Sequence, residues 1–299
     1  MTREKHLGLV NFDPKKDQVM DLWFQDCIEF SHGISIRIKI KNILHHSRSK
    51  YQEIAVLETE KIGRMLVIDG ITMLTEWDEF AYHEMISHVP LLVHPKPSRV
   101  LIIGGGDGGT VREVIKHPEV EQVHVCEIDE EVVRVCRKHM PFLASSFDDP
   151  RVQIFYEDGA RFISKNSGSY DVIIVDSTDP LGPGQILFQE EFYKDMKNAL
   201  SKEGIAVTQC ESIYLHQHVI KGVFSFATNL YPKLDYYCTQ VPTYPSGLIG
   251  FFFCSLKWDP LKDINERKVE YLKDLKYYTP EIHRSSFTLP LFAAKLFKS

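Results

Sequence analysis

The stretch Val100-Leu-Ile-Ile-Gly-Gly-Gly-Asp-Gly-Gly109 decides the fold that this sequence predicts. Its four apolar residues are typical of a short buried strand, and Thr110–Lys116 after it has the pattern of a helix. Gly104, Gly106 and Gly109 fit the GxGxxG pattern, in which a strand, a glycine-rich turn and a helix together bind a nucleotide. The stretch therefore predicts the first βα unit of a nucleotide-binding domain.

Strand-like and helix-like segments alternate around this stretch. Their apolar runs are nearly continuous, as in a parallel sheet that is covered on both faces. The predicted strands are Gln122–Cys126, Val152–Tyr156, Tyr170–Val175, Gly204–Cys210, Leu234–Val241 and Leu248–Ser255, and the predicted helices are Phe80–Leu92, Glu130–His139 and Gly159–Lys165. Residues 80–299 are thus expected to form an α/β domain, a Rossmann-like fold with a doubly wound, mostly parallel sheet.

The residues before this domain predict a different architecture. Ile34, Ile36, Ile38 and Ile40 alternate with polar residues at a period of two, and Asp69-Gly70 separates two apolar runs as in a tight hairpin. Residues ~20–75 therefore indicate an antiparallel meander, and we expect a small β-stranded domain over 1–79.

Composition narrows the functional classes. The chain has 299 residues with 43% hydrophobic residues, so a globular protein is expected. Its net charge of −6 argues against broad nucleic-acid binding, and its longest uncharged apolar stretch, Ser246–Leu256, is too short to cross a membrane. The start Met1-Thr-Arg-Glu-Lys is unlike a signal peptide, and six scattered cysteines favour reduced thiols over a disulfide or zinc framework. We therefore expect a cytoplasmic protein.

Two acids near the glycine-rich turn indicate which nucleotide is bound. Glu127 ends the second strand of the α/β domain, where a carboxylate accepts hydrogen bonds from a ribose diol. Asp107 lies inside the turn, where it would repel a pyrophosphate at ~4 Å by several kcal/mol if poorly screened. The pattern favours a nucleoside that carries an amine or sulfonium over NAD, although an Asp at this position also suits a helix N-cap.

Further acids follow the next two strands at the same predicted edge of the sheet. Asp158 either accepts a hydrogen bond from an adenine amino group or caps the following helix. Asp176 and Asp179 lie on a Pro/Gly-rich loop, and the Pro after Asp179 pushes its backbone out of the α region. This pair is either a turn and capping motif or, with Asp107, one side of an acidic pocket.

At these residues the sequence resembles the spermidine synthases, a family of polyamine aminopropyltransferases, through nearly the whole chain. The family combines an N-terminal β-stranded domain with a methyltransferase-like Rossmann domain. The matching motifs are His45-His-Ser-Arg-Ser-Lys-Tyr-Gln52, Leu66-Val-Ile-Asp-Gly70, Thr75-Glu-Trp-Asp-Glu-Phe80, Tyr82-His-Glu-Met85, the glycine-rich stretch, Cys126-Glu-Ile-Asp129, Asp176-Ser-Thr-Asp-Pro180, Pro242-Thr-Tyr-Pro-Ser-Gly247, Lys276-Tyr-Tyr278 and Ile282-His283.

The resemblance implies a reaction and its substrates. An aminopropyl group would pass from decarboxylated S-adenosylmethionine to putrescine, giving spermidine and 5'-methylthioadenosine by direct displacement. The donor is a co-substrate, so neither a cofactor nor a metal is expected. The partners would be these small molecules and further copies of the chain, in a homodimer or a homotetramer, with no nucleic acid and no membrane.

The resemblance also assigns substrate-binding residues. The nucleoside donor would be held by Gln52, Asp107, Glu127, Asp158 and Gly159. Within this set Glu127 would bind the ribose, Asp158 the adenine and Asp107 the aminopropyl ammonium. The diamine would be held by Tyr82, Asp176, Asp179 and Tyr244.

The remaining assignments concern the reacting centre and the loop over it. Asp176 would be the catalytic carboxylate, positioning the amine with Tyr82 and accepting its proton directly or through water, because an alkylamine with a pKa of ~10.4 is charged near neutral pH. Loop Ser177–Gln185 would close over the substrates, and three of its residues would line the pocket, namely Ser177, Thr178 and Pro183. His83 stands where some relatives carry Gln, and whether it contacts donor or acceptor stays open.

Several alternatives remain at this stage. An aminopropyltransferase that uses agmatine, cadaverine or spermidine has the same motifs. A small-amine methyltransferase shares the scaffold but must tolerate the donor carboxylate, which Asp107 disfavours. A non-catalytic nucleoside-binding or interaction protein would not need Tyr82, Asp176 and Asp179 together. An NAD dehydrogenase is disfavoured by Asp107 in the phosphate turn.

Overall fold

The computed structural model of the protein describes residues 21–27, 32–180 and 182–297, without the side chain of Pro183. The polar start at residues 1–5 and Leu181 of the expected closing loop lie outside the described residues. The chain divides into two compact units. The first holds the residues up to Glu79 together with Pro242–Gly247, and the second holds Phe80–Val241 and the residues from Leu248 onward.

The first unit contains a five-stranded antiparallel sheet in the order β1-β2-β3-β4-β5. The strands are β1 (Leu22–Gln25), β2 (Arg37–Arg48), β3 (Glu53–Thr59), β4 (Arg64–Ile68) and β5 (Ile71–Thr75). The predicted meander is confirmed, including the predicted burial of Ile38 and Ile40, whereas Ile34 precedes β2 and is 42% exposed. The core of the sheet consists of Phe24, Ile38, Ile40, Ala55, Leu57, Met65 and Val67.

Two local features organise this unit. Asp69 and Gly70 have φ angles of 50° and 82°, as the predicted type I′ hairpin between β4 and β5 requires. Pro242–Gly247, which we predicted within the second domain, groups here with the first unit. Buried Asp78 accepts hydrogen bonds of 2.8 Å from both the amide and the hydroxyl of Thr243, and these bonds fix the segment to the unit.

The second unit is built on a seven-stranded sheet in the order β11-β12-β10-β9-β6-β7-β8. Strand β12 is antiparallel to its two neighbours, and the other pairs, β8 to β7, β7 to β6, β6 to β9 and β9 to β10, are parallel. The strands are β6 (Arg99–Gly104), β7 (Gln122–Cys126), β8 (Val152–Phe155), β9 (Tyr170–Asp176), β10 (Leu200–Gln209), β11 (Lys233–Gln240) and β12 (Leu248–Ser255). This order and single antiparallel strand define a methyltransferase-like Rossmann sheet, as predicted.

Helices join these strands, because parallel neighbours need crossover connections. They are α1 (Glu79–Val93), α2 (Gly109–Val114), α3 (Glu130–His139), α4 (Pro141–Ala144), α5 (Gly159–Ser164), α6 (Glu190–Ala199), α7 (Gln217–Leu230), α8 (Pro280–Ser286) and α9 (Leu291–Ala294). The predicted strands and helices are confirmed, with ends that differ by up to four residues. The fully buried centre of β9, Val172–Ile174, pairs on one side with β6 and on the other with β10.

Two expectations about the whole chain concern cysteines and membranes. All six cysteines lie in the described residues, and none is joined in a disulfide. Among the described residues, no helix is long and apolar enough to cross a membrane.

Candidate functional site

The predicted acids of the second unit gather where its parallel strands end. Gly104, the last residue of β6, pairs with Asp176, the last residue of β9. Cys126 at the end of β7 pairs with Phe155 at the end of β8, so Glu127 and Asp158 follow at the same edge. This carboxyl edge is where doubly wound sheets bind their ligands.

The glycine-rich turn passes directly beneath Asp176. Gly104 has a φ of 82°, and a Cβ at this position would lie 2.0 Å from the Asp176 carbonyl oxygen. The Gly105 amide donates a 2.9 Å hydrogen bond to that same oxygen. Only glycine at position 104 therefore allows the turn to approach β9 this closely.

Asp176 is held by two hydroxyl groups from two helices. Tyr82 on α1 donates to Oδ1 at 2.9 Å, and Thr110 on α2 donates to Oδ2 at 2.6 Å. Burial and the negative charge of Asp107 raise the pKa of Asp176 above its ordinary value, against the opposing effects of His83 and the two hydroxyls. A carboxylate with a raised pKa is a better proton acceptor than one in water, and this one has a fixed orientation.

Asp107 forms the second part of the same cluster. Its Oδ1 accepts a 2.7 Å hydrogen bond from the Gly109 amide and lies 3.4 Å from Nε2 of His83. Burial opposes its ionisation, but His83 and the Gly109 amide outweigh burial, so the pKa of Asp107 lies below its ordinary value. Asp107 therefore carries a negative charge at neutral pH.

The His83 ring packs directly against the turn. A Cβ at Gly109 would lie 2.2 Å from the ring, so a glycine is needed for His83 to occupy this place. The ring is almost fully buried and makes an edge contact with Tyr82, with centroids 5.4 Å apart. The sequence does not decide whether His83 contacts donor or acceptor. In the structure its Nε2 lies beside Asp107.

Glu127 and Asp158 occupy the edge beyond the turn. Oε1 of Glu127 accepts from the Asp129 amide at 2.8 Å, and burial raises the pKa of Glu127 to about 7. Asp158 caps α5 by accepting hydrogen bonds from two backbone amides, those of Ala160 at 2.8 Å and Arg161 at 3.2 Å. The capping interpretation of Asp158 is thus confirmed, and a carboxylate oxygen can accept a further bond from a ligand.

Gly159 lies in close contact with the sheet. A Cβ on this residue would lie 2.5 Å from the Ile103 side chain at the end of β6. The start of α5 therefore lies against the strand that leads into the glycine-rich turn.

The loop after β9 carries polar atoms with unused hydrogen-bonding capacity. Oγ of Ser177 is buried and has no hydrogen-bond partner among the described residues. Asp179 accepts a long, 3.5 Å hydrogen bond from Nε2 of Gln209, whose buried Oε1 has no partner in the described chain. Thr178 contacts the Gly184 region, and a 3₁₀ helix, Gly182–Phe188, follows. A ligand with amine donors can satisfy these unused acceptor atoms.

Two predicted residues belong to the first unit. Gln52 is partly buried, and its backbone amide donates a 3.1 Å hydrogen bond to the Ser49 hydroxyl in a turn. Tyr244 donates from its hydroxyl to the Met73 carbonyl at 2.8 Å. Both contacts lie within the first unit.

Sequence reasoning missed two residues of the second unit that contact predicted site residues. Thr110 donates to Asp176, and its signal was its place directly after the glycine-rich turn. Gln209 ends β10, which pairs with β9, so it belongs to the same edge as Asp176. The sequence indicates the places of both residues near this edge, but their side-chain contacts depend on how the elements pack.

The cluster of His83, Asp107 and Asp176 suits a cation. One ligand atom from each lies within 4.8 Å of the others, so by type they could also hold a metal ion. Both carboxylate oxygens of Asp176 already accept hydrogen bonds from Tyr82 and Thr110. Each oxygen has a second lone-pair direction, which suits the hydrogen-bonding geometry of an ammonium or amine group.

These features define a class of protein. A methyltransferase-like sheet with a glycine-rich turn, a buried carboxylate after β7 and an acidic cluster at the strand edge belongs to an enzyme that binds a nucleoside with a cationic chain. The spermine/spermidine synthase domain matches residues 79–266, and the spermidine synthase tetramerisation domain matches residues 22–76. The chain belongs to the spermidine synthase family, and it is a transferase.

Individual relatives cover nearly the whole chain. The chain is 46% identical over 279 residues to a spermidine synthase of Dictyostelium discoideum, covering 93% of this chain and 98% of that one. It is likewise 46% identical to a polyamine aminopropyltransferase of Leptospira biflexa serovar Patoc, with 93% and 99% covered. A crystal structure of a spermidine synthase in complex with the transition state analogue AdoDATO is 38% identical, with a TM-score of 0.90 over 98% of both chains. The resemblance read from the sequence is confirmed.

Proposed function

We propose that the protein transfers the aminopropyl group of decarboxylated S-adenosylmethionine to putrescine, giving spermidine and 5'-methylthioadenosine. The observation that carries the proposal is the pair of partly buried carboxylates, Asp107 and Asp176, in one cluster with His83. The two substrates are both cationic, and a pocket with two carboxylates offsets their mutual repulsion. Relatives named spermidine synthase and polyamine aminopropyltransferase support the same reaction.

The donor occupies the edge formed by β6, β7 and β8. Glu127 accepts hydrogen bonds from the ribose diol, and Asp158 with Gly159 receives the adenine. Asp107, with His83 beside it, holds the aminopropyl ammonium. The family resemblance assigns Gln52 to the donor as well.

The acceptor amine is positioned and deprotonated at Asp176. Tyr82 and Thr110 fix the carboxylate, and its remaining lone pairs hold the attacking amine in line with the carbon next to the sulfonium. A C–N bond forms as the C–S bond breaks, and the sulfonium leaves as a neutral thioether. The proton lost by the amine passes to Asp176 directly or through water, which the raised pKa of this carboxyl favours.

The far end of the diamine is held by polar groups of the loop and its neighbours. Asp179 binds the second ammonium, and Gln209 orients Asp179 through its long hydrogen bond. The family resemblance assigns Tyr244 to the diamine as well. We propose that the loop Ser177–Gln185 closes over the substrates with Ser177 and Thr178 lining the pocket, while Leu181 and the Pro183 side chain lie outside the described residues.

Asp107 also gives the enzyme its choice of donor. Ordinary S-adenosylmethionine carries a carboxylate next to its amine, and the decarboxylated form does not. A negatively charged Asp107 repels that carboxylate and so selects the decarboxylated donor. The same repulsion disfavours a small-amine methyltransferase, which binds the carboxylated form.

The experiment is a product assay with a panel of amines. The enzyme is incubated with decarboxylated S-adenosylmethionine and putrescine, agmatine, cadaverine or spermidine, and the products are identified by mass. We expect spermidine and 5'-methylthioadenosine in equal amounts, with putrescine giving the highest kcat/KM. A higher kcat/KM with another amine would contradict the proposed acceptor, and methylated amines from S-adenosylmethionine would contradict aminopropyl transfer.

Three further properties belong to the proposal. The reaction needs no resident cofactor or metal, because the sulfonium of the donor is itself the activated leaving group. The protein forms a homodimer or a homotetramer, and the match of residues 22–76 to the spermidine synthase tetramerisation domain supports the tetramer. A cytoplasmic location is supported by six cysteines without disulfides, the usual state in a reducing compartment.

A further inference from the structure

A second polar cluster lies in the second unit, outside the substrate site. Glu113 on α2, His88 on α1 and His117 after α2 are all fully buried. Nε2 of His88 lies 3.0 Å from Oε2 of Glu113, and Nδ1 of His88 lies 2.9 Å from Nε2 of His117. Such a cluster can be an ordinary hydrogen-bonded part of the core. This one also joins two helices, α1 and α2.

Glu113 at one end of the cluster is charged, and His117 at the other end is neutral. Burial opposes the ionisation of Glu113, but the hydrogen bond from His88 and the charges of Arg112 and Lys116 outweigh it, so the pKa of Glu113 lies well below its ordinary value. Burial holds the pKa of His117 well below its ordinary value. These states assign an N–H to Nε2 of His88 that points at the Glu113 carboxylate.

The two helices that this bond joins are the two helices that hold Asp176. α1 carries Tyr82 about 1.7 turns before His88, and α2 carries Thr110 slightly less than one turn before Glu113. Tyr82 and Thr110 donate to opposite oxygens of the Asp176 carboxylate. A shift of α2 against α1 must lengthen at least one of these bonds.

We infer that Glu113 and His88 are positioning residues for aminopropyl transfer: their buried hydrogen bond fixes α2 against α1 and thereby keeps both hydroxyls on Asp176. Neither residue contacts the reacting atoms in this account. The inference rests on the proposed function for its kinetic test, because it concerns the step in which Asp176 accepts the proton.

The expected signature is a change in the pH profile. The hydrogen bonds from Thr110 and Tyr82 lower the pKa of Asp176, so loosening either raises it and moves the acid limb of kcat to higher pH. The other groups that face Asp176 are Asp107 and His83, and Asp176 in turn acts on Glu127. The charged groups that face the cluster of Glu113, His88 and His117 are Arg112, Lys116 and Lys268.

A matched control is available on the same helix. Glu84 on α1 is a buried carboxylate that accepts hydrogen bonds from three successive backbone amides at Lys276, Tyr277 and Tyr278. These bonds fix a C-terminal segment and do not involve α2. Glu84→Gln therefore replaces another buried, hydrogen-bonded carboxylate with an amide and leaves the bond between α1 and α2 in place.

The test measures kcat and KM against pH for wild type, Glu113→Gln and Glu84→Gln, with unfolding by urea for each. We expect Glu113→Gln to lower kcat at pH 7 about tenfold and to move the acid limb upward by at least about half a pH unit, with the donor KM within about twofold. Glu84→Gln should lose stability and keep the wild-type acid limb. An unshifted acid limb in Glu113→Gln, or an equal shift in both variants, would overturn the inference.

A second pair of variants covers the case in which Glu113→Gln does not fold. Thr110→Val removes the hydroxyl on Asp176 directly and should show the same shift of the acid limb, and Thr110→Ser should restore the wild-type limb. His88→Gln, which keeps an N–H near the position of Nε2, should then shift the limb less than His88→Ala. Equal limbs for His88→Gln and His88→Ala would contradict the inference. Loss of spermidine formation by wild type itself would instead overturn the proposed function.

Discussion

The Tyr82 hydroxyl donates a 2.9 Å hydrogen bond to Oδ1 of Asp176, although the two residues are 94 positions apart in the chain. Tyr82 lies on the helix that precedes the Rossmann sheet, and Asp176 ends its central strand β9. Their contact joins the first helix of the second unit to the carboxylate that we assign to the reaction.

Tyr82→Phe tests this contact without changing the size of the side chain. We expect kcat/KM for putrescine to fall about 10- to 100-fold, the range for a lost hydrogen bond to a charged group of about 1.5–3 kcal/mol. Donor affinity, measured by calorimetry in the absence of putrescine, should stay within about threefold. A variant with wild-type kcat/KM would show that the hydroxyl does not orient Asp176.

Asp107→Asn tests how the donor is chosen. Wild type should bind decarboxylated S-adenosylmethionine at least about tenfold more tightly than S-adenosylmethionine, because Asp107 attracts the ammonium and repels the added carboxylate. Asp107→Asn should bind the decarboxylated form more weakly, so that the ratio of the two affinities becomes smaller. Calorimetric titration with both nucleosides measures the effect, with Asp148→Asn as a control at a 70% exposed carboxylate. Tighter binding of S-adenosylmethionine by wild type would contradict this role.

Glu127→Gln separates stability from binding. The pKa of Glu127 is raised to about 7 by burial, so between pH 4.5 and 7 the folded state keeps a proton that the unfolded state has released. The free energy of unfolding therefore falls as the pH rises through this window. Glu127→Gln removes this loss and should be more stable than wild type at pH 8, by on the order of 1–3 kcal/mol, with a much smaller gain at pH 5.

Urea unfolding of the ligand-free protein at pH 5 and pH 8 measures that difference. Glu130→Gln on α3, an exposed glutamate, is the control and should change stability little at either pH. The same Glu127→Gln protein should bind the donor at least about tenfold more weakly, since the amide replaces the carboxylate that accepts from the ribose. A Glu127→Gln variant less stable than wild type at pH 8 would show that burial of the ionised Glu127 carboxylate does not destabilise the folded state.

The sequence was enough to place the acids of the site. Each follows an apolar run that ends in a parallel sheet, and parallel strands bring their carboxyl ends to one edge. Gly104 and Asp107 were assigned by the same reasoning from the glycine-rich stretch. Asp158 shows the limit of this reasoning, because the sequence does not distinguish a residue that caps α5 from one that also binds a ligand.

Contacts between distant segments were beyond the sequence. The bond from Thr110 to Asp176 depends on how α2 packs beside β9, and the return of Pro242–Gly247 to the first unit depends on the bonds between Asp78 and Thr243. The raised pKa of Asp176 is another such property. An ordinary carboxyl of pKa ~4 is a poor proton acceptor, and the burial that changes this is set by three-dimensional packing.

The rate of the chemical step in Asp176→Asn tests whether Asp176 is the catalytic carboxylate. In a single turnover, enzyme and donor are mixed rapidly with saturating putrescine, and spermidine is measured over time. We expect a rate constant lower than wild type by about 10²- to 10⁴-fold, the usual contribution of a general base, with donor affinity unchanged within about threefold. A rate constant close to wild type would contradict the assignment of Asp176 as the catalytic carboxylate.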